Sequence, residues 1–399
     1  MEQVLYQLPD GWEWQSVKKL SHNIQYGHTA KAESSGNAKF LRITDIQDGK
    51  IDWQGVPTVS LKEKEIRKYA LSDNDLVFAR SGATAGKSIL IKNAPTDAVF
   101  ASYLIRITPN QEKIIPEYLS YFFLTPAYWE VVGLNAAGAA QPNINGTKLS
   151  EFIVPIAPRE EQKRIVEKLD ALLTRIDTAI ENLQESLTLA DTLLKSSLNS
   201  MLTPRENWEW VRMNDVCQIT SKLCDPREEQ YLDMFHVGGA NITQFSGSLI
   251  NIKTAREEKL ISGKFPFDTN MVLYSKIRPY LMKVARPMIS GICSADIYPL
   301  TPVREKMTRD FLFYLLLSEQ FTQYAIEGSS RAGMPKVNRN HLFSFAFHLP
   351  SLDEQVSICE SLDALVKKTN EAIIELEDKL AYLTRLKASI LDSAFKGEF

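Results

Sequence analysis

From Val166 onward apolar residues return at alternating steps of three and four: Val166, Leu169, Leu173, Ile176, Ile180, Leu183, Leu187, Ala190 and Leu194. A seam sustained over about four heptads predicts a long amphipathic helix whose stripe needs a partner. The pattern is written again near the end of the chain, at Cys359, Leu362, Val366, Thr369, Ile373, Leu376, Leu380 and Leu383. It continues less regularly through Leu386 and Ile390; Thr369 interrupts it and the spacing drifts after Leu383. Pro158 and Pro350 stand just ahead of the two patterns, each followed by an acidic pair (Glu160-Glu161; Asp353-Glu354) that suits a helix start. Each helix has room for roughly 40 residues, about 60 Å at 1.5 Å per residue. Pairing with each other as an antiparallel coiled coil is the expectation, because a tandem duplication closes about a pseudo-two-fold axis. The alternative is two separate core helices.

The intervening stretches have a shorter rhythm. Phe40-Leu41-Arg42-Ile43 leads into Asp48-Gly49-Lys50, and Leu76-Val77-Phe78-Ala79 into Ser81-Gly82, as strands leading into turns do. Later, Met234 to Val237 leads into Gly238-Gly239, and Met271-Val272-Leu273-Tyr274 into Ser275. One short helix is expected over Pro116 to Tyr128 and another over Met307 to Tyr324. These parallels belong to a duplication. Gly11-Trp12-Glu13-Trp14 recurs as Asn207-Trp208-Glu209-Trp210, 196 positions on, and Leu169-Asp170-Ala171-Leu172 as Leu362-Asp363-Ala364-Leu365, 193 positions on. The period is too long for a solenoid. The expected architecture is mixed α/β (α+β) domains plus long α-helices, as a tandem pseudo-two-fold repeat. It has two globular domains (1–157 and 204–350), each followed by a helix (158–203 and 351–399) of an antiparallel coiled coil between them. The helical copies match closely and the globular copies only in outline.

A formal charge of −3 argues, taken alone, against nucleic acid. Its distribution changes the picture. The helical segments hold the excess acid, 8 against 6 bases in 158–203 and 10 against 6 in 351–399. Residues 1–157 are balanced at 16 of each, and 204–350 carry 18 bases against 15 acids. What matters for a polyanion is local clustering. Between Asp75 and Asp97 lie Arg80, Lys87 and Lys92 with no carboxylate; Thr269 to Ala295 carries Lys276, Arg278, Lys283 and Arg286, again with none. Glu327 to Asp353 encloses Arg331, Lys336 and Arg339, and its counterpart Val131 to Ser150 holds Gln141, Asn143, Asn145 and Lys148. Lys and Arg neutralise phosphates, whereas Arg, Asn and Gln can read base edges bidentately. Ser81, Tyr280 and Asn338 complete the candidate DNA-contacting set. Trp12, Trp14, Trp208 and Trp210 are assigned to packing.

Chemistry beyond binding is hard to find. Gly82-Ala83-Thr84-Ala85-Gly86-Lys87-Ser88 approaches a phosphate-binding loop but is one residue short of its spacing, and no acidic strand end for magnesium accompanies it. The five histidines form no metal or triad spacing, and an Asn/Asp-Pro-Pro-aromatic motif is absent. Cys217, Cys224, Cys293 and Cys359 are scattered, without paired zinc spacing, and are taken as free thiols in a reducing cytoplasm. Neither a membrane span nor a signal-peptide pattern is evident.

In order along its length, the chain resembles the specificity subunit of a type I restriction–modification system. The carriers are Leu8-Pro9-Asp10-Gly11-Trp12-Glu13-Trp14, Leu41-Arg42-Ile43-Thr44-Asp45-Ile46, Arg80-Ser81-Gly82 with Gly86-Lys87, and Tyr274-Ser275-Lys276-Ile277-Arg278-Pro279-Tyr280-Leu281. To these are added the joins Pro155-Ile156-Ala157-Pro158-Arg159-Glu160-Glu161-Gln162 and Leu349-Pro350-Ser351-Leu352-Asp353-Glu354-Gln355. The resemblance implies two target-recognition domains reading the halves of a split duplex DNA site. It also implies two helices that act as ruler and docking surface for two methyltransferase subunits, with restriction subunits joining. No cofactor is expected in this chain: S-adenosylmethionine, ATP with magnesium and adenine flipping would belong to the partners. Three other readings stay open at this point. They are a coiled-coil protein-interaction scaffold with two ligand-binding domains, an enzyme using the 82–88 loop, and a modification-only complex without a nuclease.

Overall fold

The computed structural model describes residues 3, 5–47, 49–136, 143–329 and 335–399. Contacts divide the chain into two units, one of residues 1–184 with 378–399 and one of residues 185–377. The borders at 184 and 377 lie 193 positions apart, the offset of the helical repeat, so the duplication is visible in three dimensions.

In the first unit the strand that opens the domain, Glu13–Ser16, pairs antiparallel with the strand that closes it, Ile153–Ile156. The closing strand delivers the chain through Pro158 into the long helix Arg159–Met201. Between them lies an antiparallel sheet in the order Ser21–Tyr26, Leu104–Pro109, Leu76–Ala79, Ser88–Leu90. A smaller sheet sets Ala38–Leu41 parallel to Ala98–Phe100. All four residues of Leu76–Ala79 are buried, which is why this strand reads as an unbroken apolar run instead of an alternation. The second unit repeats the plan. Glu209–Arg212 pairs with Ala346–Leu349; Cys217–Gln218, Ile297–Pro302, Val272–Ser275 and Val284–Ala285 form the main sheet; and Phe235–Val237 lies parallel to Gly291–Ser294.

Each single short helix expected from sequence is a consecutive pair: Pro116–Phe122 with Pro126–Ala136, and Arg309–Leu317 with Glu319–Glu327. A hydroxyl breaks the run at the same repeat position. The Ser318 hydroxyl accepts from the Phe321 amide at 3.2 Å, and that of Thr125 from the Tyr128 amide at 3.3 Å, so each caps the second helix of its pair.

The long helices, Arg159–Met201 and Leu352–Lys396, run 43 and 45 residues. In the first unit Ile165, Leu169 and Leu173 of one join Leu391, Ala394 and Phe395 of the other in a single core, and Asp177 meets Lys387 at 2.5 Å. The start of one helix therefore lies along the end of the other, antiparallel as the tandem duplication predicts. In the second unit Leu198 and Leu202 share a core with Ile358, Cys359 and Leu362. Leu169, Leu173 and Ile176 are buried, whereas Ile180, Leu183 and Leu187, like Val366, Ile373, Leu376 and Leu380, are half-buried. Thr369 keeps its place on the inner face and is buried. The drift past Leu383 has a cause: Phe395 packs on Tyr118 and Phe122 of the domain, with ring centroids 4.8 and 5.7 Å away, so this end follows the domain as well as its partner helix.

The Glu-Gln joins are stitched by a buried amide. Gln162 accepts from the Ile115 amide at 2.9 Å and donates to the Ala157 carbonyl at 2.8 Å. Gln355 accepts from the Thr308 amide at 2.8 Å and donates to the carbonyls of Pro350 (2.9 Å) and Lys306 (2.8 Å). A second fastening joins each helix to its domain: the Tyr121 hydroxyl donates to Asp170, and that of Tyr314 to Asp363 at 2.6 Å. In the second unit Arg286 adds ion pairs to Asp363 and, at 3.3 Å, to Asp310. Burial alone would raise the Asp363 carboxyl, but hydrogen bonds from Arg286 and Tyr314 outweigh it and hold the group below the ordinary aspartate range.

Trp208 is buried, Trp12 packs against its unit's core and Trp14 meets Tyr6 edge-on at 5.0 Å; Trp210, 61% exposed, rests against His348. The four cysteines are free, and burial pushes the Cys217, Cys293 and Cys359 thiols up to about 12. Among the described residues no helix is long and apolar enough to cross a membrane.

Gln355→Leu strands a buried amide and two carbonyls, each worth about 1–3 kcal/mol when left unpaired. The expected result is a loss of about 2–4 kcal/mol, read as a lower urea midpoint; an unchanged midpoint would mean that the freed groups find other partners. Because the folded Asp363 value is depressed, its stabilisation is complete above about pH 4 and is lost as pH falls through the folded value. Acid titration of thermal stability should therefore be shallower in Asp363→Asn than in the parent below pH 4, with the curves parallel at neutral pH.

Candidate nucleic-acid interface

The buried central strand of each main sheet emerges into a tight hairpin. In the first unit the Ala79 amide donates to the Lys87 carbonyl at 2.8 Å, and the Gly86 amide returns to the Ala79 carbonyl at 2.9 Å. In the second, the Ser275 amide donates to the Lys283 carbonyl at 3.0 Å. Two positions of this hairpin are left-handed in both units: Gly82 and Gly86 with φ of 82° and 90°, Arg278 and Met282 with φ of 51° and 47°. Both pairs are related by the 196-residue offset. The glycines of the 82–88 loop are thus answers to backbone demands of a hairpin. A strand, Ser88–Leu90, follows them and not a helix whose amide ends could hold phosphate, so the loop is not a nucleotide cradle.

Arg278 meets the same demand without being glycine. A left-handed non-glycine residue costs about 1–2 kcal/mol. Such cost is tolerated where the side chain is needed, and that of Arg278 is exposed.

Immediately after the strand, one residue ties three segments together. The Arg80 amide donates to the Tyr103 carbonyl at 3.0 Å and its carbonyl accepts from the Ile144 amide at 2.8 Å. The Lys276 amide donates to the Asp296 carbonyl at 3.0 Å and its carbonyl accepts from the Val337 amide at 2.9 Å. Bridges between Ser81 and Asn143 and between Ile277 and Lys336 complete the match. The basic and amide-rich windows, some 60 residues apart in sequence, are thus placed side by side in each unit by the same main-chain frame. Each frame leads into a short helix capped by asparagine: the Asn145 side chain accepts from the Lys148 amide and that of Asn338 from the His341 amide, both at 2.8 Å.

Arg80 is half-buried with its guanidinium 5.2 Å from the centre of the Tyr26 ring; Lys87 and Asn143 are exposed, and Lys148 is half-buried. Arg278, Lys336, Asn338 and Arg339 are exposed, as is Tyr280 at 52%. Lys283 is drawn to the Gly239 carbonyl at 2.5 Å, and Asn145 and Asn338 have a capping duty that composition did not reveal. Gln141 and Arg331 lie outside the described residues. Lys92 and Arg286, counted in the acid-free windows, belong elsewhere: they pair with Glu117 and with Asp310 and Asp363.

Acid-free in sequence is not acid-free in space. Asp296, the first residue past its window, stands between Lys276 and Lys336, its carboxylate 3.4 and 3.3 Å from the two ammonium groups. Burial depresses the Lys276 ammonium and Lys336 adds to that, while Asp296 opposes both. Tyr26, Tyr103 and Asp296 were not legible as site residues from local composition. The duplication held a signal, since Tyr103 and Asp296 precede the residues that pair with Ala79 and Ser275. Among the described residues no three His, Cys, Asp or Glu side chains gather as a metal site.

Residues 10–189 and again 205–380 match the family described as type I restriction modification DNA specificity domain. The EcoDI specificity subunit of Escherichia coli is 30% identical over 298 residues, 66% of either chain. The StySPI specificity subunit of Salmonella potsdam is 25% identical over 424 aligned positions, spanning 98% of this chain and 90% of that one. Among solved structures, a chain from work on the complex assembly and conformational transition of the type I R-M system superposes with a TM-score of 0.76 at 20% identity, covering 99% of this chain and all of that one. The HsdS subunit from Thermoanaerobacter tengcongensis does so with 0.55 at 20% identity over the full length of both. At such identity these two speak for the fold. Matched twice across most of its length, the chain belongs to the family of type I restriction–modification specificity subunits.

Proposed function

We propose that the chain is a non-catalytic reader of double-stranded DNA, with each globular domain (1–157 and 204–350) reading one half of a bipartite, asymmetric site. The observation that carries this is the frame built twice: one main-chain arrangement presents Arg80, Ser81 and Asn143 in one unit and Lys276, Arg278 and Lys336 in the other. A common frame suits a common task, docking on duplex DNA, and unlike side chains suit unlike half-sites. The exposed Arg and Lys side chains favour a polyanion over a protein ligand. The strained backbone of Arg278 supports the same face.

The helices (158–203 and 351–399) set the separation of the half-sites and dock two methyltransferase subunits. Restriction subunits join that assembly, and the partners hold S-adenosylmethionine and ATP with magnesium. Support comes from the way each helix is shared, its first half packed with one unit and its second half with the other. Coupled to two readers, helix length becomes spacer length.

Co-expression with its methyltransferase in an unmethylated host, followed by mapping of methylated adenines, should give a split, non-palindromic motif. A heptad inserted after both Gln184 and Glu377 keeps the seam in phase and adds about 10 Å. The spacer should then lengthen by about three base pairs with both half-sites intact; a continuous motif, or an unchanged spacer, would overturn the ruler. Arg278→Gly removes the side chain while relieving the backbone, so thermal stability should hold within about 1 kcal/mol. Duplex affinity at moderate salt should fall roughly tenfold and the salt dependence should flatten by about one counterion. Unaltered affinity would place the DNA face elsewhere.

A further inference from the structure

Three positions in each unit are framed by the same main-chain hydrogen bonds and bridges, and two of the three change chemistry between the units while the first stays basic. They are Arg80, Tyr103 and Asn143 in the first unit, and Lys276, Asp296 and Lys336 in the second. Tyr103 is 66% exposed and the Asp296 side chain 55%, at matching places in the two folds. Packing therefore leaves the side chains at Tyr103 and Asp296 free to vary while the backbone beneath them is fixed, whereas the Lys276 side chain is only 12% exposed.

Asp296 is the informative member. A surface that only neutralised phosphates would lose by carrying a carboxylate, which repels them. What a carboxylate does on DNA and an ammonium cannot do is accept a hydrogen bond from an exocyclic amino group in the major groove. Its two lysine neighbours suit that task. At 3.4 and 3.3 Å they orient the carboxylate and offset its charge against the backbone. Tyr103 presents the opposite chemistry from the same place, an aromatic face with a hydroxyl.

Resting on the DNA-reading function above, we infer that these three framed positions determine specificity, and that Asp296 selects a cytosine or adenine by accepting from its amino group. The test is selection from duplexes randomised in both half-sites, using the chain co-purified with its methyltransferase, as wild type, Asp296→Asn and Tyr103→Ala. A good base contact is worth about 1–3 kcal/mol, so Asp296→Asn should lose roughly tenfold or more of the preference for cytosine or adenine at one position. The other half-site should be untouched, which also shows the variant to be folded. Tyr103→Ala should alter the other half-site alone. If Asp296→Asn keeps both preferences and merely binds all duplexes more tightly with a steeper salt dependence, Asp296 is a charge neutraliser and the inference is wrong. Equal loss at both half-sites would overturn it too, as a structural effect. A wild-type complex that enriches no sequence would instead defeat the DNA-reading function itself.

Discussion

The apolar seam of each long helix is longer than the domain before it can cover, and the rest of the structure answers that mismatch. Leu169 and Leu173 are buried by their own domain together with Leu391, Ala394 and Phe395 from the other helix; Leu362 finds Leu198 and Leu202 in the same way. The buried amides of Gln162 and Gln355 fix where each helix begins relative to the sheet it leaves. A buried amide that must satisfy both its ends tolerates little displacement, so it sets the direction of 43 or 45 residues that follow. The acidic excess of the helices is used there too, by Asp170 and Asp363 in fastening to tyrosines and by Asp177 in pairing with Lys387.

Against that fixed background the candidate face is built from a backbone plan with replaceable contents. The central strand is buried along its length, its continuation is a hairpin with two left-handed positions, and the residue between them and the strand ties in two distant loops. In the first unit glycine meets the left-handed demand with little strain; in the second Arg278 and Met282 meet it at a cost. Local sequence and global fold disagree at Arg278. Such disagreement concentrates where a side chain is kept for its function.

Much of this was legible because it repeats or is periodic. Steps of three and four mark the helices, and the two joins that end in Glu161-Gln162 and Glu354-Gln355 mark where they begin. The run Leu76–Ala79 was legible as a strand from its apolar residues and its flanking turn, and its burial came with the structure. What failed was anything set by a single hydroxyl or by distance in space. One helix became two at Thr125 and at Ser318 because a cap outweighs an apolar run. Lys92 and Arg286 looked available for DNA because their carboxylate partners, Glu117, Asp310 and Asp363, lie outside the windows in which charge was counted. The capping of a helix by Asn145 and by Asn338 was likewise hidden, because composition does not tell an amide that caps from one that stands free.

The windows free of acid mark where basic side chains cluster along the chain and say little of the chemistry that stands beside them in space. Counting charge along the chain rewards faces that are uniformly basic, and a uniformly basic face holds any duplex equally well. Discrimination needs groups that gain on one base edge and lose on another, and a carboxylate loses most when the wrong edge leaves it facing acceptors. An acid held between two lysines is therefore a better sign of reading than a third lysine would have been. It follows that the residues that set specificity are to be sought where the repeat keeps the hydrogen bonds of the backbone and exchanges a neutral side chain for a charged one, as it does from Tyr103 to Asp296 and from Asn143 to Lys336.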